Sequence, residues 1–411
     1  MVRVLHTADW HIGQTLRGFS REFEHRKVFG QIAMLIAERE IDVLIVSGDI
    51  FDAQNPSGDA LRLFYETLAH FRSMRPTLLF VILAGNHDSA VRLEAPQPFL
   101  ASFNIHVVGN IRRSGGGIDS ERHLIPVTDG KGCISAHILA VSYPTAACLP
   151  NLARLEDETG SLVVRAVKSL YADLIDQLRP RFQGLPLIGT GHLHVAGGTE
   201  SEGAERRILV GGQHAVPPDI FPAEFCYMAL GHLHKAQAVG RETIRYSGSL
   251  FPLSVTEQPY RHGVSLVTIE DHQPVQVEHV PIERPVPFLR LSGEGDIHLA
   301  DVGDHLAALG LPADLPPEER PFLQIRLARE GLATGFREVV DRVAEGFPVR
   351  VVEVKLPPRP DAPMIGGEMA IPVRLAERDP EEMFKLAFER EFQTLPEAAH
   401  LDVFHRVQAE I

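Results

Sequence analysis

The stretch Asp42-Val-Leu-Ile-Val-Ser-Gly-Asp-Ile-Phe-Asp52 decides how this chain is read. Val43 to Val46 form an unbroken run of branched apolar residues, as in a strand buried on both faces, and the run ends on Gly48 and Asp49. A strand covered on both sides belongs to a sheet flanked by helices. The carboxyl end of such a strand is where an open α/β sheet binds its ligand. The same pattern recurs outwards. Residues 3–7 lead into His6-Thr-Ala-Asp9-Trp-His11, and residues 77–83 lead into Ala84-Gly-Asn86-His87-Asp88. Later runs at 137–142, 187–190 and 225–230 are strand-like as well, and the last two end in Gly191-His192-Leu-His194 and Gly231-His232-Leu-His234. Residues 21–40, with Phe23, Ile32, Leu35 and Ile36 on one face, and residues 60–71 read as intervening helices. Strand and helix alternate, which predicts an α/β fold for at least the first 110 residues.

The whole chain has 411 residues, enough for two or three domains, and its 44% hydrophobic and 23% charged content is that of an ordinary globular protein. No apolar run reaches the roughly 18 residues of a membrane span. The opening residues lack the apolar stretch and cleavage site of a secretion signal. Cys133, Cys148 and Cys226 are too few and too far apart for a disulfide framework. These features predict a cytoplasmic protein with no membrane contact. The net charge of −14 has the wrong sign for unaided binding to nucleic acid. Twenty histidines are many for this length, and histidine is the commonest metal ligand.

A single Asp-x-His arises often by chance, and Gly-Asn-His-Asp alone can be a turn. Five such loops in order, each after a strand, point instead to one crevice where they converge. Asp, His and Asn without cysteine suit Mn²⁺, Mg²⁺, Fe or Zn²⁺ rather than a thiolate site.

The set Asp9-x-His11, Gly48-Asp49, Gly85-Asn86-His87-Asp88, Gly191-His192 and Gly231-His232-x-His234 resembles the calcineurin-like metallophosphoesterase superfamily. More narrowly, Thr7-Ala-Asp-Trp-His-Ile-Gly, Ser47-Gly-Asp-Ile-Phe-Asp, Ala84-Gly-Asn-His-Asp, Ala229-Leu-Gly-His-Leu-His-Lys and Arg245-Tyr-Ser-Gly-Ser resemble the SbcD family. These are the nuclease subunits of bacterial SbcCD complexes, related to the Mre-type repair nucleases. The resemblance implies a β-sandwich flanked by helices, with a small α+β capping domain and a C-terminal helical pair. It implies two divalent metal ions, Mn²⁺ by family preference with Mg²⁺ open. Asp9, His11, Asp49 and His234 would hold one; Asp49, Asn86, His192 and His232 would hold the other, with Asp49 bridging. A bridging anion is what two ions about 3.5–4 Å apart require.

His87 matches the family's non-ligand histidine, which assists the leaving alkoxide; Asp52 is its expected orienting acceptor. Asp88 reads as a support rather than a catalyst. His194 departs from the family pattern, so His192 is preferred as ligand and His194 as an outer group. His6, which alternates with apolar neighbours in a strand, reads as a satisfied buried residue, and so do His25, His70, His137 and His214. Arg17 and Arg21 are the expected DNA contacts, with Arg26, Lys27, Arg92, Arg112 and Arg113 as further basic groups.

The implied function is an ATP-dependent double-strand exonuclease that is also an endonuclease on single strands and hairpins. Its implied partners are DNA and an SbcC-like coiled-coil ATPase, in a heterotetramer containing a homodimer of this chain. The sequence has no Gly-x-x-x-x-Gly-Lys-Ser/Thr loop, so ATP dependence would come from the partner. A small-molecule phosphodiesterase or phosphatase of the same superfamily is the alternative.

Beyond Pro281, Pro285 and Pro287 the texture changes. Strand, helix, strand, helix and strand are expected at 288–291, 303–309, 322–327, 334–345 and 349–354. Residues 357–377 are rich in Pro and Gly and read as a tether. Two amphipathic helices follow, with Phe384, Phe388, Phe392 and Leu395 on one stripe and Leu401, Phe404, Val407 and Ile411 on the other. They pack back on the chain or dock on a partner, and the length of the tether favours the partner. The expected domains are 1–283 (nuclease), 284–356 (capping), 357–378 (linker) and 379–411 (partner-binding).

Overall fold

The protein is described from a computed structural model covering residues 1–114, 117–119, 122–145, 148–149, 162–201, 215–270, 273–292, 295–329 and 335–357, with 384, 385, 388, 400 and 401 of the tail. It divides into Met1–Leu356 and Pro357–Ile411. Among the described residues, no helix is long and apolar enough to cross a membrane.

The first unit holds two six-stranded sheets. In chain order its strands are β1 (Val2–Thr7), β2 (Val43–Val46), β3 (Leu79–Leu83), β4 (Ile105–Val108), β5 (Leu124–Thr128), β6 (Ile134–Leu139), β7 (Leu187–His192), β8 (Phe225–Gly231), β9 (Gln237–Val239), β10 (Arg241–Tyr246), β11 (Gly263–Ile269) and β12 (Gln276–Pro281). The first sheet runs β12-β11-β1-β2-β3-β4 and the second β9-β10-β8-β7-β6-β5. Strands β1 to β4 are mutually parallel, and so are β6, β7, β8 and β10. Helices α1 (Glu22–Glu38) and α2 (Gly58–Met74) are the crossovers that parallel pairing of β1 to β3 demands.

Alternate residues of one strand serve two cores. Val4, Val43, Ile45 and Val81 meet Ile138, Ile188, Tyr227 and Ala229 between the sheets. Leu5, Leu44, Val46, Phe80 and Ile82 face the other way, onto Ile32, Ile36, Phe64, Leu68 and Phe71 of α1 and α2. The second sheet is covered in turn by α3 (Leu162–Phe182), through Ala166, Leu170, Leu174 and Leu178. The result is a helix–sheet–sheet–helix sandwich, which explains why the central strands are apolar without alternation.

A smaller module, where the sequence leads one to expect a capping domain, comprises β13 (Phe288–Leu291), α4 (Val302–Ala307), β14 (Phe322–Arg326), α5 (Phe336–Ala344) and β15 (Arg350–Lys355). Expected as α+β, it is parallel throughout, in the order β13-β14-β15, so its helices are crossovers. It is keyed to the sandwich by Phe288, Phe322 and Val352 against Leu16, Phe19 and Phe23.

Candidate metal centre

The parallel strands of each sheet end on the same edge, and every loop singled out above leaves from there. The first sheet contributes Asp9 and His11 after β1, Asp49 after β2, and Asn86 and His87 after β3. The second contributes His192, the last residue of β7, with His232 and His234 just beyond β8. Asp9, Asp49, His11, His192, His232 and His234 are all buried.

The loops close on one another through backbone. Asp9 N–H donates to the Gly48 carbonyl at 3.0 Å and His11 N–H to that of Asp49 at 3.0 Å. Asp9, His11, Asp49 and His232 have positive φ of 53°, 47°, 50° and 109°, a conformation non-glycine residues rarely adopt. Gly48, at φ 92°, lies against the His192 ring, and Gly231 lies against the Ser47 carbonyl; a side chain at either would push the sheets apart. The Asp88 carboxylate accepts the N–H groups of Gly85, Ile50 and Phe51 at 2.8, 3.1 and 2.9 Å. It is a brace for two of the loops, as its sequence context suggests.

Three of the imidazoles are each aimed by a hydrogen bond at one nitrogen. His192 Nδ1 donates to the Ser47 carbonyl at 2.8 Å, His11 Nδ1 lies 3.2 Å from Asp52 Oδ1, and His234 Nδ1 lies 2.8 Å from Glu257 Oε1. The other nitrogens turn inwards. Asp49 Oδ2 lies 3.7 Å from His11 Nε2 and 3.3 Å from His192 Nε2, and His192 Nε2 is 3.0 Å from Asn86 Oδ1. Three groups result, His11–Asp52–His87 and the fully buried pair Asp9–His11–His234 and Asp49–His192–His232, each with potential ligand atoms within 4.8 Å of one another. Asp49 touches both members of that pair.

These residues fit a pair of divalent ions on their own chemistry. His11 Nε2 is buried and has no hydrogen-bond partner among the described residues. A lone pair so placed costs free energy unless something occupies it. The charges are also frustrated. Burial pushes the Asp9 carboxyl up to about 6. Burial also opposes ionisation of Asp49, but the neighbouring His192 and His11 outweigh it and hold its carboxyl below the usual range. Burial works against a charged His192, yet Asp49 beside it raises that imidazole to about 9. His232 is driven well below the ordinary histidine value, first by burial and then by His192. A centre in which one carboxylate draws protons onto its neighbours is short of positive charge, which divalent ions supply.

His87 stands at the mouth, its ring 4.7 Å from that of His11. Asp52 supports both rings, in a way the sequence does not reveal. Its main-chain carbonyl accepts from His87 Nδ1 at 2.9 Å, while its carboxylate pairs with His11. The expected orienting acceptor for His87 is therefore the backbone of Asp52. His194 is set apart: its ring is 6.3 Å from that of His232, and its Nε2 pairs with Glu200 at 3.2 Å.

Arg21 is a correction. It is 1% exposed, ion-paired with Glu24, and stacked between Phe251 and Phe322 at 4.6 and 4.8 Å. It joins the sandwich to the module that carries Phe322, and its burial is at odds with the expected DNA contact. Arg26 is held by Glu22 and Glu66 at 2.9 and 3.0 Å, and Arg112 by Glu94 at 2.7 Å. Arg17 is exposed at the turn of a short hairpin between Thr15–Leu16 and Phe19–Ser20. His6 is satisfied by Tyr227 Oη at 2.9 Å and the Leu230 carbonyl at 3.1 Å, and His25 lies between the carbonyls of Trp10 and Arg21, to one of which its single N–H donates. His137 is buried but its Nδ1 has no partner among the described residues. His70 is exposed, contrary to its expected burial, and His214 lies outside the described residues.

Residues 2–196 match the calcineurin-like phosphoesterase family, and residues 284–392 match a C-terminal domain described for a type 5 capsule protein repressor. The SbcD subunit of the SbcCD nuclease from Rhodobacter capsulatus is 43% identical over 389 residues, 94% of each chain. Its namesake in Bacillus subtilis is 33% identical over 70% of this chain and 72% of its own. That of Escherichia coli K12 is 29% identical over 86% and 85%.

Proposed function

The chain belongs to the SbcD family of calcineurin-like phosphoesterases, and from that premise we propose how its residues divide the work of a metal-dependent nuclease in an SbcCD-type complex. One observation carries the reading: Asp49 Oδ2 sits between His11 Nε2 and His192 Nε2. Asp9, His11, Asp49 and His234 hold one divalent ion. Asp49, Asn86, His192 and His232 hold the second. The imidazole-rich set favours Mn²⁺ over the harder Mg²⁺. When bound, the two ions supply the Lewis acidity and positive charge that phosphodiester hydrolysis requires.

The chain's own groups do the rest. With its Nδ1 proton held by the Asp52 carbonyl, His87 keeps Nε2 for the departing sugar oxygen, and near neutral pH it can deliver a proton there. Asp52 acts through both rings that it touches, as a positioning residue. Arg17 remains our candidate for a phosphate contact. The other arginines near the first motif are largely neutralised by their own carboxylates, in keeping with a chain of net charge −14 whose hold on DNA comes from its metals and its partner.

We assign 1–283 to the nuclease, 284–356 to the cap, 357–378 to a linker and 379–411 to the binding of an SbcC-like coiled-coil ATPase, in a heterotetramer built on a homodimer of this chain. The two tail helices lie largely outside the described residues. Within that tail, the Phe384 and Phe388 rings are 5.8 Å apart and the Phe388 and His400 rings 4.7 Å. ATP-dependent digestion of duplex ends and cleavage of single strands and hairpins are the proposed activities, and the cytoplasm is the proposed location.

The test is a nuclease assay on linear duplex and circular single-stranded DNA, with Mn²⁺ or Mg²⁺ and with or without the ATPase, on the full chain and on a chain ending at residue 378. The shortened chain is expected to retain Mn²⁺-dependent cleavage of single strands, because every proposed ligand precedes residue 235. It is expected to lose ATP-stimulated digestion of duplex ends. Unfolding of the shortened chain, or undiminished capture of the ATPase, overturns the assignment of the tail.

A further inference from the structure

Glu257 belongs to none of the motifs above. It closes the short 3-10 turn Val255–Glu257 and is 0% exposed. Among the described residues no lysine or arginine pairs with it; its side chain meets instead His234, whose Nδ1 lies 2.8 Å from Oε1. Its other acceptor sites are filled by Leu253 N–H at 2.9 Å, Ser254 Oγ at 3.3 Å and Ser249 Oγ at 3.5 Å. A carboxylate taken wholly out of water is retained only where such partners satisfy it. The segment that carries it is itself clamped. Arg21 donates to the Pro252 carbonyl at 2.9 Å, Gln14 to that of Leu253 at 2.8 Å, and Gln258 Nε2 to the Phe288 carbonyl of the cap at 3.0 Å.

We propose that Glu257 is a positioning residue for the metal centre. By accepting the Nδ1 proton of His234 it fixes the tautomer and the ring orientation that present Nε2 to Asp9 and His11. The same task falls to Asp52 at His11, but the Asp52 side chain is 39% exposed, whereas Glu257 works without competition from water. Acceptors of this kind, behind a metal-bound imidazole, typically matter 10- to 100-fold in metal affinity. The inference rests on the two-ion reading of the site, and its test separates the two.

Calorimetric titration of Mn²⁺ into the full chain, after removal of metal with chelator, is run on wild type, Glu257→Gln and Glu257→Ala, together with thermal unfolding of each metal-free protein. Wild type is expected to take up two ions. Glu257→Ala is expected to bind one of them about 10- to 100-fold more weakly and the other unchanged. Glu257→Gln, whose amide oxygen still accepts the Nδ1 proton, is expected to recover most of that loss. Two ions in wild type and the same two affinities in both variants would overturn the role of Glu257 alone. So would a Gln variant that weakens both ions equally while melting earlier, since that is the behaviour of a plain core ion pair. Failure of wild type to bind two ions overturns the metal centre itself.

Discussion

The two sheets end on the same edge but contribute unlike halves of the site. The loops of the first sheet carry both carboxylates, and three of their proposed ligands, Asp9, His11 and Asp49, sit at positive φ. Each such residue costs on the order of 1–3 kcal/mol. The Asp88 carboxylate and the Gly48 and Asp49 carbonyls lace these loops together. The second sheet offers only imidazoles, one of them, His192, still in strand register opposite Gly231. Its alignment is borrowed: His192 is aimed by the Ser47 carbonyl of the first sheet, and Asp9 accepts the N–H of His232 at 3.0 Å. The anionic half is rigid by its own backbone, and the neutral half is oriented by what lies across the sandwich. The groups around Asp9 and Asp49 each draw residues from both sheets. Asp49 is where they meet.

The harshest way to break the comparison is therefore Asp49→Ala. Removing the group that faces His11 and His192 at once is expected to abolish cleavage and to leave fewer than two Mn²⁺ ions per chain, as measured by metal analysis after gel filtration. The fold should survive, because the side chain lies at the loop edge rather than among the apolar residues between the sheets. Two tightly held ions in this variant would mean that the halves do not share a ligand.

A milder change separates holding metal from moving protons. His87 comes from the first sheet and groups with His11 and Asp52 rather than with the residues around Asp9 and Asp49, so a role as ligand and a role as proton donor make different predictions. His87→Asn is expected to keep both ions and DNA affinity while cleavage falls roughly 10²- to 10⁴-fold, the usual contribution of a general acid or base. A collapse of metal content would place His87 among the ligands instead.

The unequal construction of the halves also explains what is legible in the sequence. The loops of the first sheet announce themselves because glycine, carboxylate and histidine stand together within a few residues of a strand end, so Asp9, His11, Asp49, Asn86 and His87 stand out as candidates from local pattern, and the fold brings them together. Supports that act across the fold leave no such trace. Glu257 meets its histidine from 23 residues away, and the Asp52 carbonyl is a backbone group no side-chain motif can mark. Arg21 misleads because a charge in a sequence does not tell its burial; the aromatic rings that enclose it come from residues 251 and 322. Helix α3 is missing from the expected elements although Ala166, Leu170, Leu174 and Leu178 recur every four residues. The pairing of β1 with β11 joins Val2 to Ile269, a register no local periodicity contains.

The smallest expected effect tests the neutral half at its edge, where His192 and His194 are separated by one residue and by their surroundings. His192 is fully buried, aimed by the Ser47 carbonyl, with Nε2 facing Asp49 at 3.3 Å. The His194 side chain is 23% exposed, points to Glu200, and joins none of the metal-ligating groups among the described residues. A strand reverses its side chains at each step, so residues two apart begin on the same face. It is the end of β7 at His192 that lets the chain turn and send His194 elsewhere. His192→Ala is expected to lose an ion and, with it, cleavage. His194→Ala removes a solvent-screened pair of the kind worth about 0–1 kcal/mol, so kcat/KM should change by no more than about fivefold, with both ions retained. Measured side by side in Mn²⁺, the reverse ranking would mean that the second sheet presents its ligand one turn later than the register of β7 and β8 implies.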